Sequence, residues 1–214
     1  MTPELTPEAI AALFTRADGQ YLFARWRRPI VPVVFGTDDA TLATVKGAVE
    51  ALVALAGHRM AETDPEQGAN LMLFFFRDWE ELLVVPDLDR LVPDLKPMVA
   101  RLKKEGANQY RVFRFEADGA IRAVVVFVQM DDAMQAVPAA DLALLQAVQM
   151  ILLWSDRAFL GEAPLLRGHE GAALLRPDLA ALIRAAYDPV LPVMASDPSH
   201  ALRLAARLGS MGRM

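Results

Sequence analysis

Few side chains in this sequence suit metal or acid–base chemistry. The chain of 214 residues carries 3 histidines and no cysteine. Without cysteine it can build no disulfide, Fe–S cluster, thiol nucleophile or thiolate-ligated zinc. His169-Glu170 reads as the first half of an H-E-x-x-H motif, but Ala173 stands where the second imidazole is required. A helix binds zinc through two imidazoles at i and i+4 on one face. Gly168 and Gly171 flank the pair and disfavour a helix. The prediction is an exposed loop histidine at 169. His58 follows Gly57, so a C-terminal capping role is expected of it rather than ligation. His200 opens the last predicted helix. Gln146 and Gln149 are neutral amides within an apolar helical pattern. They read either as helix-edge residues or as the mark of a former site. A displaced hydrolase site is the alternative, drawing on Asp156, His169, Glu170 and Asp188. It requires the fold to bring a histidine near two carboxylates in a cleft.

Other chemistries are excluded by missing motifs. No G-x-G-x-x-G follows a strand, Gly36–Gly47 lacks the phosphate-binding lysine and hydroxyl pair, and no G-x-S-x-G elbow occurs. Composition narrows the classes further. Hydrophobic residues make up 54%, charged residues 23%, and the net charge is −5. That excludes disorder for most of the chain and argues against a nucleic-acid partner. The basic cluster Arg25-Trp26-Arg27-Arg28 could meet a phosphate. On an acidic chain it reads instead as a solvated lead-in to a strand with Trp26 packed inward. A membrane span needs about 20 apolar residues, and Gln146 and Gln149 interrupt the longest candidate. The first residues show neither a basic nor an apolar leader, so a cytoplasmic location is expected.

The elements that position these residues follow from spacing. Thr6-Pro7-Glu8 starts a helix ending before Asp18-Gly19. Ile30–Phe35 is a strand in which Pro32 marks an edge or a start. Gly36-Thr37-Asp38-Asp39 turns into a helix closed by Gly57. Asn70–Phe76 is nearly all apolar, as in a strand covered on both faces. Helical stretches over 78–84 and 95–105 precede Gln109–Glu116. There, Tyr110, Val112, Phe113 and Phe115 alternate with Gln109, Arg111, Arg114 and Glu116. Asp118-Gly119 makes the hairpin turn to Ala120–Gln129. Pro138 opens a long helix to about Trp154, followed by helices over 177–187 and from Ser199 to about Leu208. Arg203 and Arg207 lie beside Leu202, Leu204 and Leu208, a face expected to dock on the domain. Trp26 and Trp154 belong to the predicted core. The simplest packing is one mixed sheet with long helices on one face.

Three groups of residues carry a family resemblance. The first is Arg25-Trp26, Pro29-Ile30, Val34-Phe35-Gly36 and Gly57-His58. The second is Ala69-Asn70. The third runs from Leu145-Gln146-Ala147-Val148-Gln149 to Asp156, then through Asp178, Leu182, Tyr187-Asp188-Pro189, Leu191-Pro192 and Met194. Together they resemble a bacterial domain family of unknown function, found largely in alphaproteobacteria, whose members are similar to zincin-type zinc metallopeptidases. The resemblance implies an α+β zincin-like fold. Its mixed sheet of about four strands has an edge hairpin and packs against two long helices, 38–56 and 139–154. The domain would span 25–208 with a helical C-terminal part from 155, an N-terminal helical segment at 1–24 and a frayed tail at 209–214. The metal-motif position reads Leu145-Gln146-Ala147-Val148-Gln149. Leu145 has no lone pair, Gln146 cannot act as a carboxylate base, and Gln149 is a poor zinc donor. The resemblance therefore implies a catalytically inactive domain with no metal or cofactor, with Gln146, Gln149 and Asp156 as a vestigial site. Its partner would be a peptide or protein, bound in the cleft below the edge strand by strand addition beside Val124–Val128. Oligomeric state is left open by the sequence.

Overall fold

The computed structural model of the chain describes residues 5–66, 68–169 and 171–211. Its centre is a four-stranded mixed sheet of β2 (Pro32–Phe35), β3 (Leu71–Phe76), β4 (Gln109–Phe115) and β5 (Ile121–Gln129). The spatial order is β2-β3-β5-β4. β2, β3 and β5 run parallel, and β4 pairs antiparallel with β5. All of β3 is buried, because both sheet faces are covered. Leu71, Leu73 and Phe75 enter one core; Met72, Phe74 and Phe76 enter another on the opposite face. Pro32 opens β2 at the sheet edge, where a missing N–H breaks the fewest ladder bonds.

The larger core lies under α2 (Asp39–Leu55) and α6 (Ala139–Ile151), which pack on each other. Asp38 caps α2 by accepting from the Thr41 N–H at 2.7 Å. The smaller core lies under a 3-10 helix (Trp79–Val84), α3 (Leu88–Leu91) and α4 (Leu95–Glu105). Trp79 is buried there and donates from Nε1 to Ala107 O at 2.7 Å. The expected mixed sheet, hairpin and paired long helices are all present, and the second face is covered as well.

Several boundaries differ from the sequence reading. The long helix stops at Ile151, not Trp154: Leu152 is extended at φ −134°, it bridges Arg25, and Leu153 N–H donates to Ala24 O at 2.9 Å. Chain pairing thus outcompetes the last helical turn. The C-terminal part is not purely helical. It holds a hairpin of β6 (Leu165–Arg167) and β7 (Ala173–Leu175), then α7 (Pro177–Ala186), β8 (Met194–Ala195) and α8 (Ser199–Met211). β8 pairs with β1 (Phe23–Ala24). Gly209–Met211 is helical rather than frayed, and 212–214 lie outside the described residues. The N-terminal helix α1 (Pro7–Phe14) packs on α8, and Ile10 and Phe14 join the larger core. Phe14 stacks on Trp154 at 5.3 Å. As expected, Leu204 and Leu208 turn inward from α8, joined by Ala201, but Leu202, expected on the same face, is exposed.

The two predicted core tryptophans are buried and satisfied. Trp26 Nε1 donates to Met150 O at 2.9 Å, and Trp154 Nε1 to Val148 O at 2.7 Å. Asn70, fully buried, staples the sheet entry: its Oδ1 accepts from Val31 N–H at 2.8 Å and its Nδ2 donates to Pro29 O at 2.9 Å. Among the described residues, no helix is long and apolar enough to cross a membrane.

Candidate functional site

The region where α6 faces the edge strand β4 holds the most unusual chemistry of the fold. Gln146 is fully buried on α6. Its Nε2 donates to Gln109 Oε1 at 2.9 Å, and its Oε1 accepts from Arg111 Nη2 at 2.5 Å. Arg111 Nη2 also donates to Gln109 Oε1 at 2.9 Å. The three side chains close a polar triangle between helix and strand. No carboxylate pairs with Arg111 among the described residues, and its Nε is sealed without a partner. Burial lowers the Arg111 pKa to about 10, which leaves it charged at neutral pH. A guanidinium held only by neutral amides has its charge uncompensated by the fold.

Sequence reasoning missed Arg111 and Gln109 as partners of Gln146. The alternation over 109–116 groups Phe113 with Tyr110 and Val112. The structure places Tyr110 and Val112 against the smaller core and Phe113 against the larger one. Strand geometry therefore sends Gln109, Arg111 and Phe113 to the α6 face together. The signal available was period two itself, counted from Phe113 backwards.

The same strand is the sheet's free margin. Gln129 N–H donates to Asn108 O at 2.8 Å. Antiparallel pairing alternates, so Tyr110 and Val112 exchange bonds with β5 across register partners Phe127 and Val125. The N–H and C=O groups of Gln109, Arg111 and Phe113 then point away from β5. Among the described residues β4 pairs with β5 alone. The sequence reading placed the open edge beside Val124–Val128. That is corrected: β5 is paired on both sides, by β3 and β4, and those residues are buried. Hollows of about 370 and 520 Å³ flank β4, one lined by Tyr110, Val112 and Arg101, the other by Phe113, Arg114 and Phe115.

The remaining predicted site residues do not gather here. Gln149 lies half-buried on α6. Asp156 is exposed and accepts from Ala17 N–H at 3.0 Å, which caps the N-terminal turn instead. Asp188 is held by Arg207 and accepts from Val190 N–H at 2.9 Å; that bond leads the influences depressing its pKa, and Arg207 adds to it. His169 is exposed in the turn between β6 and β7, as expected of a loop histidine, and Glu170 lies outside the described residues. Among the described residues no group of three His, Asp or Glu side chains could hold a metal.

The other two histidines are structural. His58 caps α2 through its backbone, whose N–H donates to Val53 O at 3.0 Å. Its ring bonds Arg28 O at 2.8 Å, so the expected C-terminal capping role is filled by the main chain of His58. Burial lowers the His58 pKa. His200 is buried against Phe23, ring centroids 4.4 Å apart, and neither ring nitrogen has a hydrogen-bond partner among the described residues. Burial lowers its pKa to about 4, so it is neutral at pH 7.

The basic cluster is absorbed by the fold. Arg25 is buried over the Tyr187 ring and donates to Leu191 O at 3.3 Å. Arg27 pairs with Asp118, and Arg28 with Asp64, Glu66 and Glu116. Arg27 and Arg28 line a hollow of about 880 Å³ whose walls also carry Asp64, Glu116 and Asp118. Their charges are thus matched within the chain. Compared with known proteins, the chain matches no family model, no curated protein and no solved structure.

Proposed function

We propose that this chain is a zincin-like domain without peptidase chemistry, and that it binds an extended segment of a peptide or protein along β4. The observation that carries this reading is the unpaired margin of β4 beside α6. Gln109, Arg111 and Phe113 there offer backbone donors and acceptors in strand register. Strand addition uses such groups for affinity and takes specificity from side chains on alternating positions. The zincin-like assignment draws on the residue pattern of 25–194, together with an antiparallel edge strand facing the helix that carries Leu145–Gln149. A binding role rather than catalysis is favoured because Gln146 is engaged with Gln109 and Arg111, where a peptidase needs a carboxylate base.

The experiment is selection of binding heptapeptides from a displayed random library, followed by N-methylation of the selected sequence one residue at a time. Strand addition predicts a period of two: methylation at alternate residues abolishes binding, and at the intervening residues it leaves binding within about threefold. A selected peptide with no such alternation, or a library that yields no binder, would overturn the reading.

A further inference from the structure

Arg111 is a component of the β4 margin that the described residues leave electrostatically incomplete. Its Nη2 is fixed by two amide oxygens, its Nε is sealed, and Nη1 makes no hydrogen bond to the described residues. Arg114, three residues along the same strand and on its other face, donates to Leu91 O at 2.8 Å, so among the described residues Arg111 is the arginine of β4 that faces α6. The chain as a whole is acidic, at −5, yet the α6 side of β4 carries an arginine that no carboxylate pairs with among the described residues. Carboxylates elsewhere are spent on other arginines, as at Arg28, Arg176 and Arg207.

Resting on the peptide-binding reading above, we propose that the β4 margin is specific for acidic segments and that Arg111 receives a Glu or Asp side chain of the added strand. The geometry follows from sheet rules. A residue placed opposite Arg111 in a new ladder projects its side chain to the same face as Arg111, with Cβ atoms about 4.5–5.5 Å apart. That face is the α6 face, where the guanidinium sits. Guanidinium and carboxylate can then form charge-assisted bonds, shorter and stronger than neutral ones. Gln109 and Gln146 position the guanidinium without neutralising it. A side-chain carboxylate is favoured over a peptide C-terminus by place: Arg111 lies in the interior of a strand that spans Gln109–Phe115, so a chain ending there would leave half the margin unpaired.

The test uses blocked seven-residue peptides that alternate Thr and Val around a central Glu, Gln or Lys, with affinity read by fluorescence anisotropy. A fourth peptide has central Thr and a free C-terminal carboxylate. The expected order is Glu over Gln by at least about tenfold, the size of one charge-assisted bond, with Lys weakest. The Glu preference should fall as salt is raised. In Arg111→Gln the ratio of Glu to Gln affinity should fall to about one, and in Arg111→Lys it should survive in part, because the charge remains but the planar fork is lost. Circular dichroism and the urea unfolding midpoint of each variant report that it is folded. Equal affinity for Glu and Gln in the wild-type chain would overturn the carboxylate proposal while leaving strand addition standing. Tightest binding of the free C-terminal peptide would overturn the assignment to a side chain. Failure of every peptide to bind would overturn strand addition itself.

Discussion

Gln146 and Gln149 lie one helical turn apart, and their amides meet opposite fates. Gln146 is sealed and spends both ends of its amide on the edge strand. Gln149 is half-buried. Removing the buried amide strips Arg111 and Gln109 of a partner in a site that water reaches poorly. Gln146→Ala is therefore expected to cost about 1–3 kcal/mol, and Gln149→Ala about 0.5 kcal/mol or less. Urea unfolding of the two variants checks this. Equal losses would mean that the triangle does not join strand to helix. The sequence made Gln146 visible as a polar residue in an apolar pattern. It hid the partners, because Gln109 and Arg111 are about 35 residues distant and look like solvent-facing positions until the strand's phase is known.

At the scale of elements, the strand phase was the hard part. Adjacent Val112 and Phe113 are both apolar, so hydrophobic alternation fits two phases of β4, and only packing against two separate cores selects one. The end of α6 was hidden for a related reason. Leu152, Leu153 and Trp154 continue the apolar run, and what stops the helix is a tertiary pairing with Ala24 and Arg25. Local chemistry with strong turn residues was legible: the Asp38 cap and the Asp118-Gly119 turn fall where the residues put them, whereas β2 starts at Pro32, two residues after the expected Ile30. Gly36 shows how tightly one such turn is drawn. Its φ is +79°, and a Cβ there would lie 1.9 Å from Phe75 O. Gly36→Ala combines left-handed backbone strain of about 1–2 kcal/mol with overpacking of about 1–3 kcal/mol. A fall in stability of at least about 2 kcal/mol is expected by thermal or urea unfolding. Gly106, with φ +64° and open space around its Cβ position, bears only the first penalty and serves as the comparison. Equal losses at the two sites would contradict the close approach of β2 to β3.

Over the whole molecule, the layers were legible because burial on both faces writes a continuous apolar run, as in Leu71–Phe76. The N-terminal helix and the C-terminal elements join the same large core, since Phe14 meets Trp154 and α1 meets α8. What composition concealed was the distribution of charge. An acidic chain with 22 basic and 27 acidic residues pairs most of its buried or half-buried arginines internally, yet leaves Arg111 beside a strand margin that no other strand pairs with among the described residues. The central claim, that this margin is open and takes up a strand, is tested most directly by amide hydrogen exchange of β4, read residue by residue by NMR before and after adding a selected peptide. In the free chain, the amides of Tyr110 and Val112, bonded to β5, should be protected, whereas those of Gln109, Arg111 and Phe113 should exchange much faster. Peptide should slow these three and leave Tyr110 and Val112 as they were. Protection of all five in the free chain, or no change at Gln109, Arg111 and Phe113 on binding, would contradict an open edge that works by strand addition.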